Sequence, residues 1–300
     1  MVKKKEARNR ISYIIKRDGS KISSCNEVAN EMVEFYKGLF GTAIPTFPID
    51  TEMLKVGGVL NADERSALVV PITTNEVKEA IFDIGDDKVP GPDGYSSALF
   101  KKNWKIVGED FVKGVKEFFS CGKFLKQLNH TIVSHIPKTD HDPKVGDFRP
   151  IGCTNVAYKT ITKILTKRME PLLPKLVNST QGAFLGGGGR LLSDDVFLVQ
   201  ELVRGYTTKR STPRFMIKVD IRKAYDTVSW SFLEAMLVGL GFPEVYVGWI
   251  MEYVSMASYS ISINGWLHGC FKGQRGLQKV TLCLPRCSLF AWSTSLECSR

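Results

Sequence analysis

A chain of 300 residues with 43% hydrophobic and 24% charged side chains is too apolar to be disordered and long enough for about two domains. Its 41 Lys and Arg against 31 Asp and Glu give a formal charge of +10; this suits a phosphate-rich partner, because basic side chains gain nucleic-acid affinity by releasing counterions, yet many basic proteins bind no particular anion. No apolar run approaches the roughly 20 residues of a membrane span, and the basic opening MVKKKEARNR leads into no apolar stretch of a secretory signal.

The cysteines are irregularly spaced and form no CxxC pair, and the histidines have no matching cysteines, so no zinc site is expected. These features point to an intracellular setting, nuclear or cytoplasmic, with no secretion and no membrane. Cys25, Cys121 and Cys153 read as isolated buried thiols.

In chain order, RISYIIKRDGSKI predicts a hairpin turning at Asp18-Gly19. CNEVANEMVEFYKGLFG then puts Val28, Met32, Phe35, Tyr36 and Leu39 on one helical face, and TFPID at 46–50 reads as a linker. Thr73 and Glu76 make a capping box ahead of an amphipathic helix over 73–84. VPGPDGYSS stops it: Pro90 and Pro92 cannot sit in a helix interior, and Gly91 and Gly94 supply turns. Another helix runs through VGEDFVKGVKEFFSCG. TIVSHIPK is a short β-branched strand ending at Lys138; beyond a polar loop, a helix spans 156 to about 173 with basic residues on one side. Four glycines precede a further helix, LLSDDVFLVQELV. RFMIKVD at 214–220 is a buried strand, SWSFLEAMLVGLG a helix closed by Gly241, and YSISINGWLHGCF a hairpin turning at Asn264-Gly265. Helices packed on a small antiparallel sheet make the fold class α+β.

The strand FMIKV would hold the Asp220 carboxylate at the rim of a sheet, within reach of a divalent cation. Mg²⁺ prefers carboxylate and phosphate oxygens, and nucleotidyl transfer uses such ions to activate the attacking hydroxyl and steady the leaving pyrophosphate. Spacing alone leaves Asp220 open between this role and that of an ordinary strand-end residue.

The neighbouring residues add to this. KVDIRKAYDTVSW (218–230) resembles motif A of reverse transcriptases, in the form found in LINE-type, non-long-terminal-repeat retrotransposons, particularly those of plants. VPGPDGYSSALFKKNW, HIPK, DFRPIGCTNVAYKTITKIL, QGAF, KVDIRKAYD and SINGWLHGCFKGQRGL occur in the order and approximate spacing of that family. The resemblance covers the chain from about residue 6 to 277.

The resemblance implies right-hand polymerase fingers plus a partial palm, and RNA-directed DNA synthesis from deoxynucleoside triphosphates on an RNA template and DNA primer. Mg²⁺ is the implied ion, with Mn²⁺ as its substitute. It also implies a linker upstream of the polymerase at 1–50, fingers and fingers-palm helices at 51–213, and a partial palm with motif A at 214–277. By position, Asp220 corresponds to the first catalytic, metal-binding aspartate. Ile221 offers its backbone to the incoming nucleotide, and Tyr225 stands at the steric gate that blocks a ribose 2′-hydroxyl. Lys138 and Arg149 match the two residues that grip the triphosphate, one as a compact charge and one as a fork. Asp226 is expected to be structural. Apart from the resemblance, Tyr225 is an ordinary core aromatic, and Lys138 and Arg149 are solvated surface charges. Lys159, Lys163, Lys167 and Arg168 on one basic helix, and Arg190 after the glycines, are the expected template contacts. Two departures stand out. QGAFLGGGGR carries an extra glycine before Arg190, and Asp194-Asp195 replace the family's Asp-Asn, reading as helix N-terminal charges.

The family follows RGL with a basic residue, QGDPLSP and later a YADD-type turn bearing the remaining catalytic aspartates. Here RGL runs into QKVTLCLPRCSLFAWSTSLECSR, in which Glu297 alone is acidic. Read one frame away, codons AAG, GTG, ACC and CTC for residues 279–282, followed by Cys, Leu and Pro codons, can spell Gly-Asp-Pro-Leu-Ser-Pro. The expectation is an insertion or deletion near Gln278 that puts 278–300 out of frame and leaves Cys283, Cys287 and Cys298 without a role. Asp220 alone cannot hold two ions roughly 4 Å apart, so the polymerase domain is expected to be inactive. The alternatives are a non-catalytic RNA-binding module and a retroelement remnant without selected function.

Overall fold

The computed structural model describes residues 10–43, 58–138, 141–176, 192–204 and 226–276. The first hairpin forms as its sequence predicts, from β1 (Ile14–Ile15) and β2 (Lys21–Ile22). Asp18 Oδ1 closes the turn by accepting the Ser20 N–H at 2.8 Å and its hydroxyl at 2.7 Å, and Gly19 takes the positive φ of 87° that the turn requires. Helix α1 (Cys25–Phe40) buries Val28, Ala29, Met32, Tyr36 and Phe40, an apolar stripe at helical spacing.

Helices α2 (Ala62–Leu68) and α3 (Thr74–Phe82) each start with a complete capping box, Asn61 with Glu64 and Thr73 with Glu76. After α4 (Ser97–Lys102), α5 (Trp104–Cys121) begins at Trp104 rather than Val107 and stops at Gly122, whose φ of 68° ends the helix in the left-handed conformation. Cys25 and Cys121 fall at helix ends and are exposed; Cys153 is buried as expected.

A four-stranded sheet follows the order β4-β3-β5-β6, built from β3 (His130–Pro137), β4 (Phe148–Cys153), β5 (Ser258–Ile263) and β6 (Trp266–Lys272). β3 is antiparallel to β4 but parallel to β5, and β5 is antiparallel to β6. The sheet is therefore mixed, not purely antiparallel. Asn264 and Gly265, with φ of 52° and 91°, make the two-residue turn between Ile263 and Trp266, the geometry that matches strand twist in a tight hairpin. The Asn264 side-chain amide also pairs with both the N–H and the carbonyl of Ile11, each at 2.9 Å.

α1 lies on this sheet. Met32, Tyr36 and Phe40 join Ile14, Val133, Phe148, Tyr259, Ile261 and Phe271 in one core. Residues 10–43, expected within an upstream linker, are thus built into the fold. The second core surrounds α6 (Val156–Met169), which is buried on nearly every side among α5, α9 (Trp230–Gly239) and α10 (Glu244–Ser255). α6 gives way at Glu170–Leu172 to a tighter turn and the short α7 (Leu173–Leu176), with Pro171 at the junction. α8 (Leu192–Val203) is the helix expected after the glycines. α9 closes as expected: the Phe242 N–H reaches the Leu237 carbonyl at 3.1 Å and the Gly241 N–H that of Val238 at 3.0 Å, with Gly241 at φ 82°. The expected linker at 46–50, the glycine loop with Arg190, the strand at 214–220 and the tail at 278–300 lie outside the described residues.

His135 sits beneath α1, its ring 4.9 Å from Tyr36 and Nδ1 3.3 Å from the Ser262 carbonyl. Nε2 is buried with no hydrogen-bond partner among the described residues, and burial holds the imidazole pKa down at about 4. The folded state then binds fewer protons than the unfolded one between pH 4 and the ordinary value near 6.5. Stability is full above that value and falls as pH drops toward 4, by about 3 kcal/mol. Urea midpoints at pH 7, 5.5 and 4.5 should show this loss in the native chain and a smaller one in His135→Asn, which keeps a donor but does not titrate.

Candidate nucleotide and nucleic-acid site

The β3–β4 hairpin brings Lys138 and Arg149 to its loop end. Ile136 is in register with Arg149 and Pro137 with Phe148, and the Lys138 N–H donates to the Asp147 carbonyl at 2.8 Å. The loop is held in shape by Asp147 Oδ2, which accepts the Lys144 N–H at 3.0 Å, and is tied to β1 by the Ile15 N–H on the Pro143 carbonyl at 3.0 Å. Both side chains are exposed. Lys138 Nζ donates to the Gly146 carbonyl at 3.2 Å; among the described residues neither cation has an ion-pair partner. A point charge and a planar fork at the same loop end, without an ion-pair partner among the described residues, are equipped to hold a polyphosphate.

The basic row of α6 is differently employed. Lys159, Lys163 and Lys167 follow one another at four-residue spacing along one face. Lys159 Nζ donates to the Val89 carbonyl at 2.7 Å. Lys163 donates to the Asp83 carbonyl at 2.8 Å, and Lys167 pairs with the Asp83 carboxylate at 2.6 Å. Arg168 spans Glu76 with Nε at 2.7 Å and Nη2 at 2.9 Å, while Nη1 reaches the Leu68 and Val70 carbonyls at 2.9 and 2.7 Å. Three of the four thus bond backbone carbonyls, and Lys163 and Arg168 do so at the C-terminal ends of α3 and α2, where helix geometry leaves acceptors unpaired and a positive charge is favourable. The bond from Lys167 holds the Asp83 carboxyl below the usual carboxylate range, and burial lowers Lys159 and Lys163. The row expected to contact template fastens helices together, and a phosphate backbone would have to break these bonds to use it.

Asp220, Ile221, Tyr225 and Arg190 lie outside the described residues, which resume at Asp226. Asp226 is 3% exposed and close enough to Tyr36 that its charge, after burial, raises the phenol's pKa. An acid so enclosed is not open to an ion, and among the described residues no three His, Cys, Asp or Glu side chains gather to hold one. The described residues therefore do not themselves make a magnesium site. Sequence reasoning gave Arg275 no role, although it sits in a quoted motif. It is 8% exposed and donates from Nε to the Leu39 carbonyl at 2.6 Å and from Nη2 to that of Gly38 at 2.9 Å.

A small mixed sheet bearing a cationic hairpin, backed by a helical layer, is an α+β arrangement that fits the fingers and part of the palm of a right-hand polymerase. Residues 136–279 match the family Reverse transcriptase (RNA-dependent DNA polymerase). The chain is 25% identical over 278 residues to the transposon TX1 uncharacterized 149 kDa protein of Xenopus laevis, across 92% of this chain and 21% of that protein. It is 24% identical over 190 residues to the Retrovirus-related Pol polyprotein from type-2 retrotransposable element R2DM of Drosophila melanogaster, across 63% of this chain and 17% of that protein. Over residues 136–279 the chain is thus similar to the reverse transcriptase family, and both of these relatives are named as proteins of transposable elements. It spans about a fifth of the length of these two curated relatives. The family depends on divalent metal and works on a nucleic-acid template with deoxynucleotides. Among the described residues no helix is long and apolar enough to cross a membrane.

Proposed function

We propose that this chain is the nucleotide-gripping part of an RNA-directed DNA polymerase, that it binds deoxynucleoside triphosphate, and that it does not polymerise it. The observation that carries the reading is the pair Lys138 and Arg149, two register positions apart at the loop end of β3–β4 and without an ion-pair partner among the described residues. In this reading the two cations hold the triphosphate, the backbone at Ile221 and the ring of Tyr225 meet the sugar, and Arg190 lies toward an RNA template carrying a DNA primer. Asp220 would hold Mg²⁺, which when bound supplies charge neutralisation at the reacting phosphate. The setting is intracellular, nuclear or cytoplasmic. After Glu252 the sequence holds a single further acid, Glu297, and the family match ends at residue 279; both support reading 278–300 as out-of-frame peptide.

Calorimetric titration with dTTP and Mg²⁺ tests the first half. Arg149→Ala and Lys138→Ala are each expected to weaken binding about tenfold, the worth of one charge-assisted contact. Equal affinity in both variants and the native chain would refute the grip. Primer extension on a primed RNA should yield no product, and genomic sequence across codons 270–300 should continue in the neighbouring frame through QGDPLSP-like residues. Extension product from the native chain would overturn the proposed loss of catalysis.

A further inference from the structure

We infer that the C-terminal end of α1 and Arg275 together position the last residues of motif A, 226–230, which makes Arg275 a positioning residue for the nucleotide site; the inference rests on the function proposed above. Its starting point is a helix end. The last carbonyls of α1 have no partners within the helix, and one short loop supplies them. The N–H groups of Gln274 and Arg275 donate to the Phe40 carbonyl at 2.7 and 3.2 Å, and the Arg275 side chain takes Leu39 and Gly38. Gln274 Oε1 returns the attachment by accepting the Ala43 N–H at 3.0 Å. A cation at this pole is also favoured by the helix dipole.

The same loop grips the last residues of motif A. Arg275 forms an antiparallel bridge with Ser229. The Gly276 N–H donates to the Val228 carbonyl at 2.8 Å, and the Trp230 indole N–H donates to the Gly276 carbonyl at 3.0 Å. Gly276 has φ 84°, and a Cβ there would lie 2.7 Å from the Asp226 carbonyl oxygen, so this backbone closes directly on Asp226. α1 reaches Asp226 a second time through Tyr36, whose phenol feels its charge. Residues 226–230 are therefore held by a loop hung from the end of α1. Asp220 stands six residues before Asp226 in the sequence. A long arginine fork bonded to two successive carbonyls fixes direction as well as distance, which a lysine cannot reproduce.

Hydrogen–deuterium exchange of the intact chain, read peptide by peptide, tests this in Arg275→Met, in Arg275→Lys and in Val112→Ala, a core truncation within α5. In Arg275→Met the amides of 226–230 are expected to exchange about tenfold faster while α5 keeps its protection, the signature of a local opening. Arg275→Lys should recover part of the protection and remains readable should the Met variant fail to fold; Val112→Ala should not single out 226–230. Unchanged protection at 226–230, or a parallel rise in every peptide, would overturn the inference. Titration with dTTP on the same variants separates it from the reading it rests on. Absence of dTTP binding by the native chain would sink the nucleotide site and with it Arg275's role there, whereas native binding that Arg275→Met leaves unchanged would overturn only the role of Arg275.

Discussion

Gly91→Ala is expected to destabilise the protein by about 3 kcal/mol, the upper part of the range for overfilling a packed site. Gly91 is buried where the PGPDG turn meets the start of α6. An added Cβ would run into the backbone N and side-chain oxygen of Asn155 and stand 2.5 Å from the Thr154 carbonyl carbon. Two of these atoms belong to backbone, so no rotamer change relieves the clash. Either the turn or the first turn of α6 must move, and α6 is the helix around which the larger core is assembled. Gly94→Ala offers the contrast within the same motif: Gly94 has φ 75° but nothing within 4 Å of a new Cβ. There the cost is backbone strain alone, about 1 kcal/mol. Urea denaturation of both variants distinguishes crowding from strain; equal midpoints would refute the account.

Arg168→Ala should cost about 3 kcal/mol through a different mechanism. The guanidinium is 10% exposed and its Glu76 partner 24%, and the substitution removes all four bonds of the fork. It leaves a largely enclosed carboxylate without its countercharge and two carbonyls, of Leu68 at the end of α2 and Val70 just beyond it, without their donor. Glu76 also closes the capping box of α3, so the loss extends to that helix. Arg168→Lys, which keeps charge but not the fork, should recover about half. If Arg168 served chiefly to contact template, the alanine variant would instead keep its urea midpoint and lose RNA affinity, with a shallower salt dependence.

Much of this architecture was legible residue by residue. Asp18-Gly19, Thr73 with Glu76, Gly241 and Asn264-Gly265 each specify a local geometry, and each adopts it. β4 was not legible, because Pro150 and Gly152 argue against a strand; an edge position, where one side of the backbone needs no partner, accommodates them. α10 was missed because EVYVGWIMEYVS is rich in β-branched and aromatic residues and shows no clean polar face: Tyr246, Val247, Trp249, Ile250, Tyr253 and Val254 are all buried. At the candidate site, the strand was readable from its β-branched residues, one residue longer than its observed end at Pro137, but the role of Lys138 with Arg149 followed only from the family resemblance. The tasks of Lys159, Lys163 and Arg168 could not be read locally. Their acceptors lie 70 to 100 residues away in sequence, and a lysine row looks the same whether it faces a phosphate backbone or the end of another helix.

The bonds between Ile11 and Asn264 join residues 253 apart, and Arg275 closes on Gly38 across 237. A nascent chain leaves the ribosome N-terminus first, so the apolar stripe of α1 and its facing strand β3 are synthesised long before β5 and β6 exist to cover them. Loop closure over such spans slows folding, because the entropy must be lost before the contacts repay it. The protein is consequently committed to late closure: the apolar stripe of α1 stays uncovered until β5 and β6 have been made, and the sheet core is sealed only after Arg275 has emerged.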